Sequence, residues 1–429
     1  CCIALSVVAA MLILGSSIDP AYKIAWLLLV LPFPVFGGIF YLLVGGGHIP
    51  KRITRRMKRI AEQSAENLKA DDLLPLGEDA ASQARYLENY ACCPAYTNTE
   101  TEYFALGDLA FPRMLEELKK AKHYIFLEYF IIQPGKFWDS ILDILEEKAA
   151  QGVEVRLIYD DMGCMFTLPR DYNEQMAARG IQCRVFNRFV PVMSLRLNNR
   201  DHRKLMIIDG QVGFTGGINL ADEYINQHER FGHWKDSVIL LEGDAVWSMA
   251  VMFLSMWDHC CGWEEEFDRF RPAPSPARPW TGYVQPYTDT PLDQEPVGQS
   301  VYLNMIAKAR KYIYITTPYL VIDVATNTAL CNAAKSGVDV RIITPHIPDK
   351  RYVFEVTRAH YPPLLKAGVK IYEYTPGFIH AKNFVVDDRF AVVGTVNLDY
   401  RSLFLHFEDG VWLCEAPCIH DIPADFEET

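Results

Sequence analysis

Residues 202–209 read HRKLMIID and residues 380–387 read HAKNFVVD, so one spacing, His-x-Lys-x4-Asp, occurs twice in the chain. The agreement runs past the motif. Asn219 in GGINL and Asn397 in GTVNL follow their histidines by the same interval, each behind a glycine-containing turn, Gly216-Gly217 or Gly394-Thr395. Longer blocks pair as well: LKKAKHYIFLEYFI (118–131) with IAKARKYIYITTPYL (306–320), KAAQGVEVRLIYDD (148–161) with AAKSGVDVRIITPH (333–346), and MAARGIQCRVFNRF (176–189) with LLKAGVKIYEYTPGF (364–378). An internal repeat of this length constrains the fold more than composition does. In each copy an amphipathic helical stretch leads into an apolar strand and another helix, the order of α/β domains with a largely parallel sheet. The first copy carries about ten extra residues ahead of its histidine, near VPVMSLRLNN, expected to wall a pocket.

The repeated residue types suit one chemistry. Histidine can attack, accept or donate a proton near neutral pH, so a pair can divide nucleophile from acid. Lysine supplies a compact positive charge and asparagine a neutral amide donor, which together fit the oxygens of a phosphoryl group during transfer. In LMIID and NFVVD the apolar run reads as a buried strand, and His and Lys two residues apart project to one face. The expected substrate is a phosphate ester.

The double motif resembles the phospholipase D superfamily over roughly residues 98 to 415. FLEYFII (126–132), YDDMG (159–163), NNRDHRK (198–204), FTGGINLADEY (214–224), GHWKDS (232–237) and TPYL (317–320) are similar to bacterial cardiolipin synthases. The resemblance implies two tandem phospholipase D-like αβα sandwich domains forming a pseudo-twofold catalytic unit. It also implies a phosphohistidine intermediate and neither metal nor cofactor. His202 is then the nucleophile and His380 the acid and base, although sequence symmetry leaves the opposite assignment open. Lys204, Lys382, Asn219 and Asn397 would hold the phosphate, and Asp236 and Glu408, the acids beyond each motif, would orient its histidine. Asp209 and Asp387 complete the catalytic motifs and look more like organisers of the two-domain interface than proton carriers. The implied reaction joins two phosphatidylglycerol molecules and releases glycerol. A phospholipase D-type hydrolase, or a transferase using another alcohol, shares the same motifs.

Ile24 to Val44 contains no charged residue and is long enough to span a bilayer, with Pro32, Pro34 and Gly37-Gly38 able to kink it. Ile3 to Leu14 is apolar but short, and with Cys1 at the start it reads as a truncated first span. Lys51, Arg52, Arg55, Arg56, Lys58 and Arg59 follow, which places the catalytic part on the cytoplasmic side of a bacterial cell membrane. That cluster can hold anionic lipid heads or serve only as a flank. The expected organisation is a transmembrane hairpin over 1–46, a basic juxtamembrane segment and linker over 47–95, and domains over 96–272 and 273–429. The second domain would be C-terminally truncated, since PADFEET stops in the start of a helix. FRPAPSPARPW (270–280), with four prolines, marks the connection.

A formal charge of −12 argues against nucleic acid as partner. Eleven cysteines show no CxxC pairs at zinc-site spacing and are expected to be reduced thiols. His228, His233 and His259 read as packing or surface residues, and the Met and aromatic stripe at 247–257 as helix core. Glu128 and Tyr319 fall at matching strand ends, where a polar group faces the pocket or caps the sheet.

Overall fold

The motif run Leu205-Met-Ile-Ile ends in Asp209-Gly210, and both corner residues take left-handed φ values, +52° and +63°. Asp and Gly tolerate that region, and such a turn folds a strand straight back on itself. Asp387-Asp388 does the same in the second copy, at +56° and +55°. Around these two hairpins the computed structural model, which describes residues 2–15, 20–41, 59–60, 62–68, 77–189, 199–277, 282–293 and 295–429, builds two matching sheets.

The strands of the first copy are β1 (Thr99–Phe104), β2 (Tyr124–Tyr129), β3 (Glu154–Asp160), β4 (Gln182–Phe186), β5 (Arg200–Asp201), β6 (Leu205–Ile208), β7 (Val212–Gly216), β8 (His233–Lys235) and β9 (Val238–Gly243). Those of the second are β10 (Tyr283–Asp289), β11 (Tyr312–Thr316), β12 (Leu320–Val321), β13 (Asp339–Pro345), β14 (Lys370–Tyr374), β15 (Gly377–Ile379), β16 (Asn383–Val386), β17 (Phe390–Gly394), β18 (Leu398–Asp399) and β19 (His406–Cys414). The sheets run β1-β9-β7-β6-β2-β3-β4 and β10-β19-β17-β16-β11-β13-β14, strand for strand equivalent. Only β2-β3-β4 and β11-β13-β14 are parallel; the other neighbours are antiparallel. The expectation of a largely parallel sheet is therefore corrected to a mixed one. Helical crossovers join the parallel strands, whereas the turn at Asp209 or Asp387 is too short for a crossover and forces a hairpin.

Alternate residues of the first sheet bury opposite faces. Ile125, Leu127, Val155 and Leu157 pack toward the helices Gly107–Lys120 and Lys136–Ala150. Phe126, Ile158, Leu205, Ile207 and Leu241 pack toward the helix Val246–Cys261, giving the αβα layering. That helix is buried almost all round, in one core with Tyr287 of β10 and Trp412 of β19, and its Met and aromatic stripe is packing.

The chain divides into two compact units, Cys1–Arg55 with Phe189–Asn199, and Arg56–Arg188 with Arg200–Thr429. Both copies of the repeat share the second unit. The helix Glu78–Ala91 also belongs to it, burying Ala80, Ala84 and Leu87 in the core, so this part of the expected 47–95 linker is packed structure. Its apolar residues recur at helical spacing on an otherwise polar surface. In the first unit the expected single span over 24–44 is instead two helices, Pro20–Val30 and Pro34–Phe40, after a first helix over Cys2–Gly15. Pro32 and Pro34 have no N–H to continue the ladder. Among the described residues no helix is long and apolar enough to cross a membrane. Of the basic cluster, only Arg59 lies within the described residues, and the ten-residue insertion lies outside them except for Asn199.

Asp209 accepts from the backbone N–H groups of Lys122, His123 and Tyr124, all at 2.8 Å, where β2 begins. Asp387 accepts from Arg310, Lys311 and Tyr312 at 2.6–2.8 Å, where β11 begins. Each aspartate therefore pins a strand of its own copy rather than the interface between copies. Asp209→Ala strips three donors of their acceptor and is expected to cost about 1–3 kcal/mol, lowering Tm while the specific activity of the folded fraction persists. Thermal unfolding beside an activity assay checks this; lost activity at unchanged Tm would return Asp209 to the chemistry.

Candidate active site

Two short parallel ribbons cross between the copies. β5 pairs with the start of β19, Arg200 opposite His406 and Asp201 opposite Phe407. β8 pairs with β15 over His233–Lys235 and Gly377–Ile379. The chain then carries each histidine out of its ribbon, with His202 N donating to Phe407 O at 2.9 Å and His380 N to Lys235 O at 2.7 Å. One residue beyond those carbonyls stand Glu408 and Asp236.

The histidine of each copy is consequently held by the acid of the other. His202 Nδ1 lies 2.9 and 3.0 Å from the Glu408 oxygens, and His380 Nδ1 lies 2.7 Å from Asp236 Oδ2. Sequence order assigns each acid to its own motif; the structure exchanges them, because the ribbons pass the histidine strand of one copy alongside the acid strand of the other. All four side chains are buried. Burial pushes His202 down to about 3 against the pull of Glu408, and pushes His380 down to about 4, with Lys382 adding to the effect and Asp236 opposing it. Burial works to raise both acids, but the facing rings hold Asp236 and Glu408 below the ordinary carboxylate range. An ionised carboxylate only accepts, so each neutral ring keeps its proton on Nδ1 and leaves a lone pair on Nε2.

Lys204 and Lys382 project beside their histidines, Lys204 Nζ donating to His202 O at 2.6 Å and Lys382 Nζ to His380 O. Lys382 Nζ also approaches His380 Nδ1 at 2.9 Å, but that nitrogen's proton is already directed at Asp236. Burial lowers Lys204 to about 8 and Lys382 to about 7, and each lysine and histidine responds to charges of the opposite copy, so the two motifs share one electrostatic site. Asn219 is fixed at both ends, accepting from Ile131 N at 3.0 Å and donating to Tyr224 Oη at 2.8 Å. Asn397 Oδ1 is buried and has no hydrogen-bond partner among the described residues.

The supports of the two acids differ. Glu408 accepts from the hydroxyls of Thr395 and Ser402, both at 2.5 Å. Asp236 instead abuts Gly217, where a Cβ would fall 1.8 Å from its Oδ1. The sequence marks Gly217 and Thr395 only as turn residues and does not single out Ser402; the GG-to-GT difference between the copies is the visible signal of their role at the acids. His406 was missed too; its ring lies 5.5 Å from that of His202 and its Nδ1 3.6 Å from Glu408. His202, His406 and Glu408 offer ligand atoms within 4.8 Å of one another, but a cation there would compete with the bonds that already occupy Glu408 and His202 Nδ1. Glu128 turns away from the pocket, buried and ion-paired with Arg203 at 2.7 Å, while Tyr319 reaches Asp349 at 2.7 Å.

Residues 114–248 and 302–429 match the family model described as cardiolipin synthase, phospholipase D-like domain. The chain belongs to this family. The matched segments of the cardiolipin synthase model contain all ten residues that the sequence nominates for the site, five in each. Residues 4–46 match a model described as phospholipase D-nuclease N-terminal. The chain is similar to the cardiolipin synthase of Geobacillus kaustophilus, 37% identical over 417 residues that cover 95% of this chain and 82% of that one. It is 36% identical to cardiolipin synthase 2 of Bacillus anthracis, covering 95% and 80%, and 46% identical to an uncharacterized protein of Streptococcus mutans, covering 97% and 91%. Among solved structures, phosphatidylserine synthase of Haemophilus influenzae shares the fold with a TM-score of 0.61 at 15% identity, over 80% of this chain and 89% of that one.

With Lys382 lowered to about 7 and Lys204 to about 8, the empty site at pH 8 is short of protons relative to free lysine. A bound anion favours the charged forms and raises both values, so binding takes protons up. Tungstate binding followed by calorimetry in two buffers of different ionisation enthalpy is expected to show net uptake at pH 8, the lysine share of which shrinks toward pH 6 and leaves the proton gained by His380. Zero uptake across that range would mean the lysines are charged in the empty site.

Proposed function

We propose that this chain is a membrane-anchored phosphatidyltransferase that joins two phosphatidylglycerol molecules into cardiolipin and releases glycerol. The observation that carries the chemistry is the pair of neutral imidazoles, each with Nδ1 committed to a carboxylate and Nε2 free, beside two buried lysines. The lipid identity of the substrate is supported by the named cardiolipin synthases that this chain matches over 95% of its length.

In the proposed path His202 Nε2 attacks the phosphorus of the first phosphatidylglycerol. The bond from phosphorus to glycerol oxygen breaks as His380 delivers a proton to that oxygen, leaving a phosphatidyl group on His202. His380, now with a free Nε2, takes the proton of a hydroxyl on the second phosphatidylglycerol, whose oxygen displaces His202. Lys204, Lys382, Asn219 and Asn397 orient the phosphoryl oxygens, and the negative charge of those oxygens, set against the lowering by the two lysines, is what raises His380 from its depressed empty-site value into a working acid once substrate binds. Asp236 and Glu408 hold the rings in the tautomer each step needs.

Residues 1–46 are read as the membrane anchor, with 96–272 and 273–429 as the two phospholipase D-like halves on the cytoplasmic face of a bacterial membrane. In the N-terminal unit Val7, Val8, Met11, Leu12, Ile24, Leu28, Leu31 and Phe36 are all exposed, an apolar exterior that water does not favour and lipid does.

The full chain in membranes given radiolabelled phosphatidylglycerol is expected to yield cardiolipin and glycerol, and His202→Ala to abolish both. Phosphatidic acid as sole product would make the enzyme a hydrolase. The order of the histidines is tested with a diacylglycerol p-nitrophenyl phosphodiester, whose leaving group needs no protonation: His380→Ala is expected to trap label on residue 202, and His202→Ala none. Label on His380 in the His202→Ala protein would reverse the assignment.

A further inference from the structure

The segments that leave the C-terminal ends of β3 and β13 each carry a large apolar side chain into solvent, at equivalent places around the catalytic pocket. After β3, Phe166 is 94% exposed. Its loop is fastened to the wall behind His202: Thr167 Oγ1 donates to Ile132 O at 2.6 Å, and a Cβ on Gly163 would lie 2.0 Å from Phe130 O. The ring of Phe130 meets His202 edge-on with centroids 5.2 Å apart. After β13, Tyr319 Oη donates to Asp349, and Lys350 Nζ lies 6.0 Å over the Tyr319 ring. Tyr319 leads into β12, whose Leu320 pairs with Leu398, the residue after Asn397.

From Lys350 the chain enters the helix Arg351–Ala359, which buries only Thr357. Val353 and Phe354 are half-buried beside it. Tyr352 and Val356, one turn apart on the outer side, are 72% and 42% exposed. Arg351, Glu355 and Arg358 form the adjoining strip, and Arg358 is spent on Glu373. A single exposed aromatic needs no explanation. Two on equivalent rim segments, one of them on a helix whose exposed side divides into an apolar and a charged strip, form the pattern of a surface that lies in a lipid headgroup layer.

Resting on the reading of the substrate as a bilayer lipid, we propose that the rim formed by Phe166, Tyr352 and Val356 docks the catalytic unit onto an anionic membrane, with the pocket opening into the headgroup layer. The four basic side chains of the two segments, Arg170, Lys350, Arg351 and Arg358, are balanced by four acidic ones, so it is the apolar rim together with the anionic phosphatidyl substrate that selects this occupant. Asp161, Asp171, Asp349 and Glu355 share these segments; Asp349 is engaged by Tyr319 and Lys350. The arrangement lets a lipid phosphate reach the histidines while its acyl chains stay in the bilayer.

The test places p-benzoylphenylalanine at 166, at 352 and, as control, at Lys122, which precedes β2 and so sits at the opposite end of that strand from Phe130. The full chain is irradiated in vesicles of phosphatidylglycerol and phosphatidylethanolamine, and adducts are mapped by mass spectrometry. Lipid adducts at 166 and 352 but not at 122 are expected. No lipid at 166 and 352, equal labelling at 122, or capture of a second copy of the chain instead would overturn the docking surface. Cardiolipin formation by the unmodified chain in the same vesicles is read separately. Turnover without rim adducts sinks the docking alone, and rim adducts without turnover sink the lipid-transfer reading alone.

Discussion

The hydrogen bond from each imidazole Nδ1 to a carboxylate of the opposite copy is the interaction on which the rest of the catalytic unit depends. Both partners are buried, and a buried ionised acid that loses its partner costs about 3–5 kcal/mol. The crossed ribbons, β5 on β19 and β8 on β15, exist at the points where the backbone must deliver a histidine beside the other copy's acid. Packing follows from the same demand: the helix Val246–Cys261 and strand β10 share one core, so the halves cannot separate without exposing both the core and the acids.

The spacing His-x-Lys-x4-Asp resolves into two unrelated requirements joined by one strand. At its start, alternation sends His and Lys into the pocket. At its end, roughly four residues and some 13 Å later at a strand's rise per residue, the aspartate occupies a left-handed corner and caps the backbone of the neighbouring strand. The motif looks like a catalytic triad in one dimension, yet only its first two members stand among the residues of the candidate site. Its rigid length reflects the geometry of a four-residue strand and a tight turn.

The repeat was legible because it is local: blocks of identical order and spacing need no knowledge of packing, and they gave the two-copy α/β architecture and the pairing of His202 with His380. Which acid serves which histidine was not legible, since the exchange is made by contacts between residues 144 and 206 positions apart. The mixed sheet was misjudged for a different reason. Helix-strand alternation is audible in the first three strands of each copy and then stops, while Asp-Gly and Asp-Asp corners announce hairpins that are easily read as part of the motif. The helix over 78–91 was hidden by its own surface, where Glu78, Asp79, Arg85 and Glu88 outnumber the small apolar residues it buries. In the N-terminal segment hydropathy was read correctly as uncharged, but hydropathy does not register the two missing N–H groups at Pro32 and Pro34.

The backbone of the site is nearly two-fold symmetric, and its chemistry is not. Gly217 leaves room for a short acid, Asp236, pressed close to His380, whereas Thr395 and Ser402 brace the longer Glu408 behind His202. A reaction that joins two copies of the same lipid poses an identity problem, because donor and acceptor arrive indistinguishable and a perfectly symmetric host would assign neither role. The lopsided bracing of the two acids removes that degeneracy on the protein's side: the two histidines stand in different surroundings before either lipid arrives.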